Sequence, residues 1–438
     1  MRILVIAWEY PPYVVGGLGK HVAELVPILS GLQTNDGPVH VDVLTVQQHD
    51  RPITVGHQRP PAIEHIGKHL TVHRVDVASE VGISKAALEP AVVETVTHIA
   101  SVPTTQQNEH DQFFQEIISG NQRLIAYAKK LGDQHEYDII HAHDWLTGEA
   151  GFQLKHYWKI PLIATIHATE RGRHQGYLPT PLSQHINDME WRLTFEAWKV
   201  VICSHFMRDE LMNYFSLPQD KLVVIPNGLN PSRLHYVNMQ QRQILRRQYA
   251  PNNERLLFYV GRITYEKGIH TLIRSMPHIL SQNPKARLLV AGKNGQTLRP
   301  LAHDHGVAHA VSFLDFVSDR ERDAFYQLVD AAIFPSLYEP FGIVALEAMA
   351  LDCNLIASNV GGLGEVVQHF KNGLTIKPND PASIAWAVNQ TLSDPHSAMQ
   401  RRMRAKQEVK QRYSWGRIAE ETVALYEEVV AARRLVEW

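Results

Sequence analysis

Short apolar runs alternate with longer amphipathic ones along most of the chain, and the pattern occurs twice. In the first half the short runs are "RILVIAW" (2–8), "VHVDVLTV" (39–46), "YDIIHAH" (137–143), "PLIATIH" (161–167), "KVVICSH" (199–205) and "KLVVIPNG" (221–228). Each is rich in Val and Ile and ends in polar residues, the signature of a buried strand. Between them lie helical patterns, such as 17–32 and 187–198. The second half repeats the theme with "RLLFYVGR" (255–262), "ARLLVAGK" (286–293), "AVSFLDF" (310–316), "AAIFPS" (331–336) and "CNLIASN" (353–359). Helices are predicted at 267–282, 319–329, 342–351 and 382–393. Strands alternating with helices imply parallel sheets covered on both faces. The fold expected is therefore α/β, with two such domains facing each other.

Length agrees with that reading. The chain has 438 residues, and single cores stop growing near ~250–300. The join is expected within 226–255, which holds "PNGLNPSRL", "NMQQRQ" and "APNNE". This gives domains at 1–228 and 229–413. A last helix, 414–438, has no sheet partner of its own and is expected to pack back on the first domain.

Composition excludes several partner classes. A net charge of -2 offers no polycationic field, so no nucleic acid is expected. Cys203 and Cys353 sit in no CxxC pattern, which argues against a disulfide framework or a zinc site. No run of 18 apolar residues occurs, so no membrane span is expected. The start, "MRILVIAWEYPP", turns polar too early for a signal peptide. A reduced, cytoplasmic setting follows as the expectation.

Ligands of open α/β sheets bind beyond the carboxyl ends of the strands. After the first strand comes "VVGGLGKHVAEL" (14–25). Gly16, Gly17 and Gly19 permit close backbone approach, and the free N–H groups of the following helix suit a phosphate. A plain tight turn explains the glycines equally well. "GRITYEKG" (261–268) places Arg262 and Lys267 at a strand end, where two cations can clamp a diphosphate. Solvated surface charges are the alternative. "YEPFGIVALEAMA" (338–350) carries Glu339 just before a helix and Glu347 inside it. A carboxylate in an apolar helix needs a partner. Sugar diols are one possibility, and a helix cap with a salt bridge is the other. His167 ends a strand and can bond a sugar hydroxyl, or serve as a satisfied structural histidine. "HAHDW" (141–145) and "PNGLNP" (226–231) also fall at strand ends.

In this order the motifs resemble a GT-B glycosyltransferase of the retaining family 4 type, close to glycogen and starch synthases. The matching elements are the 16–19 glycines, "HAHDW", His167, "PNG", "GRITYEKG", the E-x7-E pair Glu339/Glu347 and "GGLGEVV" (361–367). The resemblance implies two Rossmann-like domains with a cleft, no metal or other cofactor, and a nucleotide-sugar donor such as UDP-glucose or ADP-glucose. It implies that Arg262 and Lys267 neutralise the leaving diphosphate. Glu339, with Phe341 and Gly342 after it, would contact the donor, Glu347 the ribose, and His167 the donor sugar near the reacting centre. Gly16 and Gly17 would also line the donor. Two departures stand out. Val14 occupies the position where glycogen and starch synthases usually carry a lysine, and Phe341 stands where bacterial glycogen synthases often have cysteine.

After His167 the chain reads Glu170, Arg171, Gly172, Arg173, His174. We read Arg171, Arg173 and His174 as candidates for holding an anionic acceptor such as fructose 6-phosphate, as in a sucrose-phosphate synthase. A solvated loop in which Glu170 pairs with Arg171 is the plain alternative, and a neutral glucan acceptor fits the resemblance as well. A sugar-nucleotide epimerase shares the architecture, but the E-x7-E pair argues against it. A non-catalytic binding protein has no reason to keep cations and carboxylates together at several strand ends.

Overall fold

The computed structural model of the chain describes residues 1–14, 16–47, 60–76 and 104–437. Val15 of the glycine motif and Trp438 of the last helical range lie outside the described residues. The chain divides into two compact units. The first is Met1–Ile202, Arg208–Ile225 and Ala419–Trp438; the second is Cys203–Met207 and Pro226–Ile418. The joins fall at 225/226 and 418/419, where 228/229 and 413/414 are expected from sequence. The five residues 203–207 group with the second unit.

Among the described residues, the main sheet of the first unit has eight strands: β1 (Arg2–Ile6), β2 (His40–Gln47), β3 (Ile63–Ile66), β4 (Leu70–Asp76), β5 (Ile139–His143), β6 (Leu162–Ile166), β7 (Lys199–Ile202) and β8 (Leu222–Val224). Their order across the sheet is β8-β7-β6-β5-β1-β2-β4-β3. All neighbours are parallel except β3, which runs antiparallel to β4. β5 and β6 are buried at every residue, as expected of strands covered on both faces. The chain leaves β1 on one side toward β2 and later returns to its other side as β5. The topological switch point therefore lies between β1 and β5.

The second unit holds six parallel strands: β9 (Arg255–Val260), β10 (Ala286–Ala291), β11 (Val311–Asp315), β12 (Ala331–Phe334), β13 (Leu355–Ser358) and β14 (Leu374–Ile376). Their order is β11-β10-β9-β12-β13-β14, and the switch point lies between β9 and β12. The core joins Leu257, Leu288, Val290 and Ile333 of the strands to Leu272, Ile273, Met276 and Val388 of the helices. Burying each such side chain stabilises by about 1.5–3 kcal/mol.

Local chemistry sets the helix starts. Thr180 and Ser183 form a capping box before helix Pro181–Glu196, and Ser318 and Glu321 do the same for Asp319–Leu328. Helix Ile269–Gln282 follows Gly268, whose φ of 66° is left-handed. A Cβ there would lie 1.9 Å from the Pro335 carbonyl, so only glycine fits. Cys203 and Cys353 are free and buried. No helix among the described residues is long and apolar enough to cross a membrane.

Candidate functional site

In the second unit Arg262 and Lys267 follow β9, and Glu339 follows β12. These are the two strands that flank the switch point. Lys267 Nζ donates to Glu339 Oε2 at 2.8 Å. Arg262 reaches Glu266 at 3.3 Å, with its side chain 58% exposed. The intervening turn is strapped down. Tyr259 Oη donates to the Arg262 carbonyl at 2.7 Å, Thr264 Oγ1 donates to Glu266 at 2.7 Å, and the Leu337 amide donates to the Glu266 carbonyl at 2.7 Å. Burial, with Glu339 and Glu266 nearby, raises the Tyr259 phenol, which stays a neutral donor.

Glu347 lies in helix Ile343–Ala350 and is buried. Arg322, from helix Asp319–Leu328, pairs with it at 3.3 Å. Arg322 also holds Asp323 at 2.7 Å and Asp319 at 2.6 Å. Burial opposes the Arg322 charge, yet Glu347 and its other anionic neighbours keep its proton bound above the ordinary range. Both carboxylates of the E-x7-E pair are thus ion-paired. Glu339 does not cap the helix, because Gly342 occupies the N-cap with a φ of 102°. Phe341 buries its ring 5.9 Å from that of Tyr413. Gly361 and Gly362 lie so close to the 339 and 340 carbonyls that a Cβ on either would come within 2.2 Å.

In the first unit the strand ends carry a cluster of imidazoles. His141 and His143 stack with ring centroids 4.5 Å apart, His143 and His167 at 5.5 Å, and His21 meets His167 edge-on at 4.9 Å. His143 Nδ1 and His167 Nε2 share a hydrogen bond of 3.2 Å. His141 is held by Tyr426 Oη at 2.6 Å and Thr165 Oγ1 at 2.7 Å. Desolvation pushes His141 and His167 down to about 3, and His143 well below its usual value. All three are therefore neutral at pH 7. The ring nitrogens of His21, His143 and His167 lie within 4.8 Å of one another. Neutral imidazoles so placed can hold a divalent transition metal. Asp144, at a φ of 56°, accepts the His167 amide at 2.8 Å.

The glycine loop enters the same end of the sheet. Gly17 opens helix Gly17–Leu29, and the Gly16 amide donates to Glu9 Oε2 at 3.2 Å. A Cβ on Gly19 would meet Val14 at 2.9 Å.

The cationic turn after His167 is a short helix, Glu170–Arg173, capped by Thr169. Glu170 pairs with Arg173 at 3.4 Å and His174 at 3.1 Å. Arg171 lies over the Tyr214 ring at 5.2 Å and forms no ion pair with a described residue. The pairing anticipated from sequence, Glu170 with Arg171, is replaced because i,i+3 and i,i+4 neighbours face each other on a helix and i,i+1 neighbours do not. Beneath the turn, both carboxylate oxygens of Glu190 accept the Glu170 amide at 2.9 and 3.0 Å. Burial raises Glu190 to about 8, against the pull of Arg173. Sequence reasoning missed Glu190, His21 and Arg322. A lone acid or base within an amphipathic helix gives no signal until tertiary contacts name its partner.

With this geometry in view, comparison with known proteins gives a consistent result. Residues 241–412 match the family model "Glycosyl transferases group 1" and residues 72–233 match "Glycosyltransferase Family 4". An uncharacterized glycosyltransferase of Methanocaldococcus jannaschii is 36% identical over 432 residues, covering 97% of this chain and 98% of that one. A glycogen synthase of Mycobacterium tuberculosis is 33% identical over 446 residues, covering 99% and 95%. In three dimensions a sucrose-phosphate synthase of Thermosynechococcus elongatus matches with a TM-score of 0.74 at 23% identity, covering 98% and 99%. That likeness speaks to the fold, two Rossmann-like domains of the GT-B type. The chain belongs to the family 4 glycosyltransferases and is a transferase enzyme.

Proposed function

We propose that this enzyme moves glucose, or a related hexose, from a nucleotide diphosphate sugar to a sugar or sugar-phosphate acceptor with retention of configuration. The observation that carries the reading is the Lys267–Glu339 ion pair across the β9/β12 switch point, with the exposed Arg262 guanidinium beside it on the same turn. Lys267 and Arg262 are suited to oppose charge that builds on a departing diphosphate. In this reading Glu339 bonds the donor sugar, Glu347 the ribose, and Gly16, Gly17, Phe341 and Gly342 contribute backbone to the donor site. The buried Phe341 ring supports a structural role for its side chain. His167, neutral through burial, hydrogen-bonds the donor sugar near the reacting carbon.

The bond from the anomeric carbon to the phosphate oxygen breaks as the bond to the acceptor oxygen forms on the same face. The acceptor proton passes to the leaving phosphate, which departs as a nucleoside diphosphate. Lys267 and Arg262 supply the positive charge, so the reading needs no metal or cofactor. The two free cysteines fit a reducing, cytoplasmic setting.

Arg171 supports a phosphorylated acceptor such as fructose 6-phosphate. It makes no ion pair among the described residues, while Glu170 engages its neighbours Arg173 and His174. The second reading, α-glucan elongation, is favoured by the full-length similarity to a glycogen synthase.

The test is product analysis with UDP-glucose and ADP-glucose, each against a glucan and several hexose phosphates. Release of nucleoside diphosphate together with an α-linked product is expected. An inverted linkage, or no transfer with any pair, would overturn the proposal. Arg171→Ala with Arg173→Ala should raise the KM for a phosphorylated acceptor and leave that for a glucan alone. An unmoved KM removes the anion-binding role of the turn.

A further inference from the structure

At the amino ends of β1, β2 and β4 lies a cavity of about 320 Å3 in the first unit. It is on the sheet edge opposite His143 and the glycine loop. Five-residue β1 spans about 17 Å, so the cavity is remote from the imidazole cluster. Its volume falls within the ~300–1,000 Å3 typical of small-molecule sites.

Five of the chain's 25 histidines line it: His40, His65, His69, His73 and His135. Lys68 and Arg2 line it as well, and Asp42 is the acid among the lining residues. That acid is already matched. Asp42 accepts from Arg2 at 2.8 Å and Tyr137 at 3.0 Å, and lies 3.5 Å from His73. His40 and His69 face each other through their Nδ1 atoms at 3.3 Å, a contact that leaves both Nε2 atoms outside it. His65 contacts Thr71 only through Nδ1, at 3.2 Å. Neither Lys68 nor His135 has a carboxylate partner among the described residues. The cavity therefore gathers hydrogen-bond donors with little negative charge to oppose them. A histidine-rich surface hollow holding only water would not be expected to gather donors around a single, neutralised acid.

We propose that this cavity is a binding site for a small phosphorylated anion, separate from the site of glycosyl transfer. Charge-assisted bonds from Lys68, His69 and His135 hold the phosphoryl oxygens. Burial and the Arg2 guanidinium hold the His40 pKa below its ordinary value, so this ring adds neutral hydrogen-bonding capacity and not charge. Against burial, bonds from His73 and Arg2 hold Asp42 in its ionised form, and burial keeps Tyr127 and Tyr137 neutral.

The test is calorimetric titration of the full chain with sulfate, whose charge is constant from pH 6 to 8. Inorganic phosphate and a hexose phosphate then separate a free anion from a phosphorylated sugar. Lys68→Ala with His69→Ala should weaken sulfate binding at least about tenfold, and Lys68→Glu alone, at an exposed position that leaves the fold intact, should weaken it as well. Arg171→Ala with Arg173→Ala should leave sulfate affinity within about twofold. Loss of binding in that variant alone would place the anion at the transfer site and overturn the proposal. Absence of binding at millimolar sulfate, or binding indifferent to the cavity substitutions, would overturn it too.

Discussion

Lys267 Nζ and Glu339 Oε2 meet at 2.8 Å across 72 positions of sequence. The pair joins the turn after β9 to the turn after β12, so its geometry depends on both strands being in register with their neighbours. Lys267→Ala should lower kcat by about 10²–10³, while the melting temperature changes little. Steady-state rates with saturating donor, alongside a thermal melt, check both parts.

Glu347 should matter differently. It is buried against Arg322, so its removal leaves a guanidinium in the interior. Glu347→Ala should cost about 3 kcal/mol, the lower end for a broken buried pair, because Asp319 and Asp323 remain on Arg322. Urea unfolding midpoints of the variant and the parent measure this.

Glu190 makes stability depend on pH in an unusual direction. Its folded pKa of about 8 exceeds the ordinary ~4.3 of an unfolded glutamate. Below ~4.3 both states are protonated and the group is neutral to stability. As pH rises toward 8 the unfolded chain loses this proton first, and the folded state is increasingly penalised. Glu190→Gln keeps an acceptor for the Glu170 amide and removes the penalty. It should gain up to about 2–4 kcal/mol over the parent at pH 8 and show little difference at pH 4. Paired melts across that range check the sign.

The imidazole cluster predicts metal sensitivity. A divalent transition ion held by His21, His143 and His167 would occupy nitrogen atoms that the proposed chemistry uses. Excess zinc should inhibit transfer and a chelator should restore it. His21→Ala should need at least about tenfold more zinc for half-inhibition. Chelator without added zinc should leave the rate unchanged if, as proposed, Lys267 and Arg262 carry the required charge.

The fold was legible where strands are buried on both faces. Ile139 and Ile140, or Leu288 to Val290, stand in continuous apolar runs that few other structures accommodate. The β3–β4 pair escaped notice because its residues mix Glu64, His65, His73 and Arg74 with the apolar ones. Helix Pro395–Arg412 escaped for the same reason, being largely polar with a thin buried stripe of Ala398, Ala405 and Val409. Within the site, Arg262, Lys267 and Glu339 were visible because they stand at strand ends. Their pairing was not, and neither was Arg322 beneath Glu347. Ion-pair partners are chosen by tertiary packing, on which local sequence is silent. The cationic turn after His167 was visible as a cluster, but not the helical turn that directs Glu170 to Arg173 and His174.

Tyr426, on helix Trp415–Arg433, bonds His141 midway along β5. The first unit therefore draws an internal anchor from a segment made some 200 residues after its last strand, β8. During synthesis, the whole second unit is made before that anchor exists. Until then the nascent first unit holds His141 without its Tyr426 bond, and chaperone engagement should concentrate in that interval.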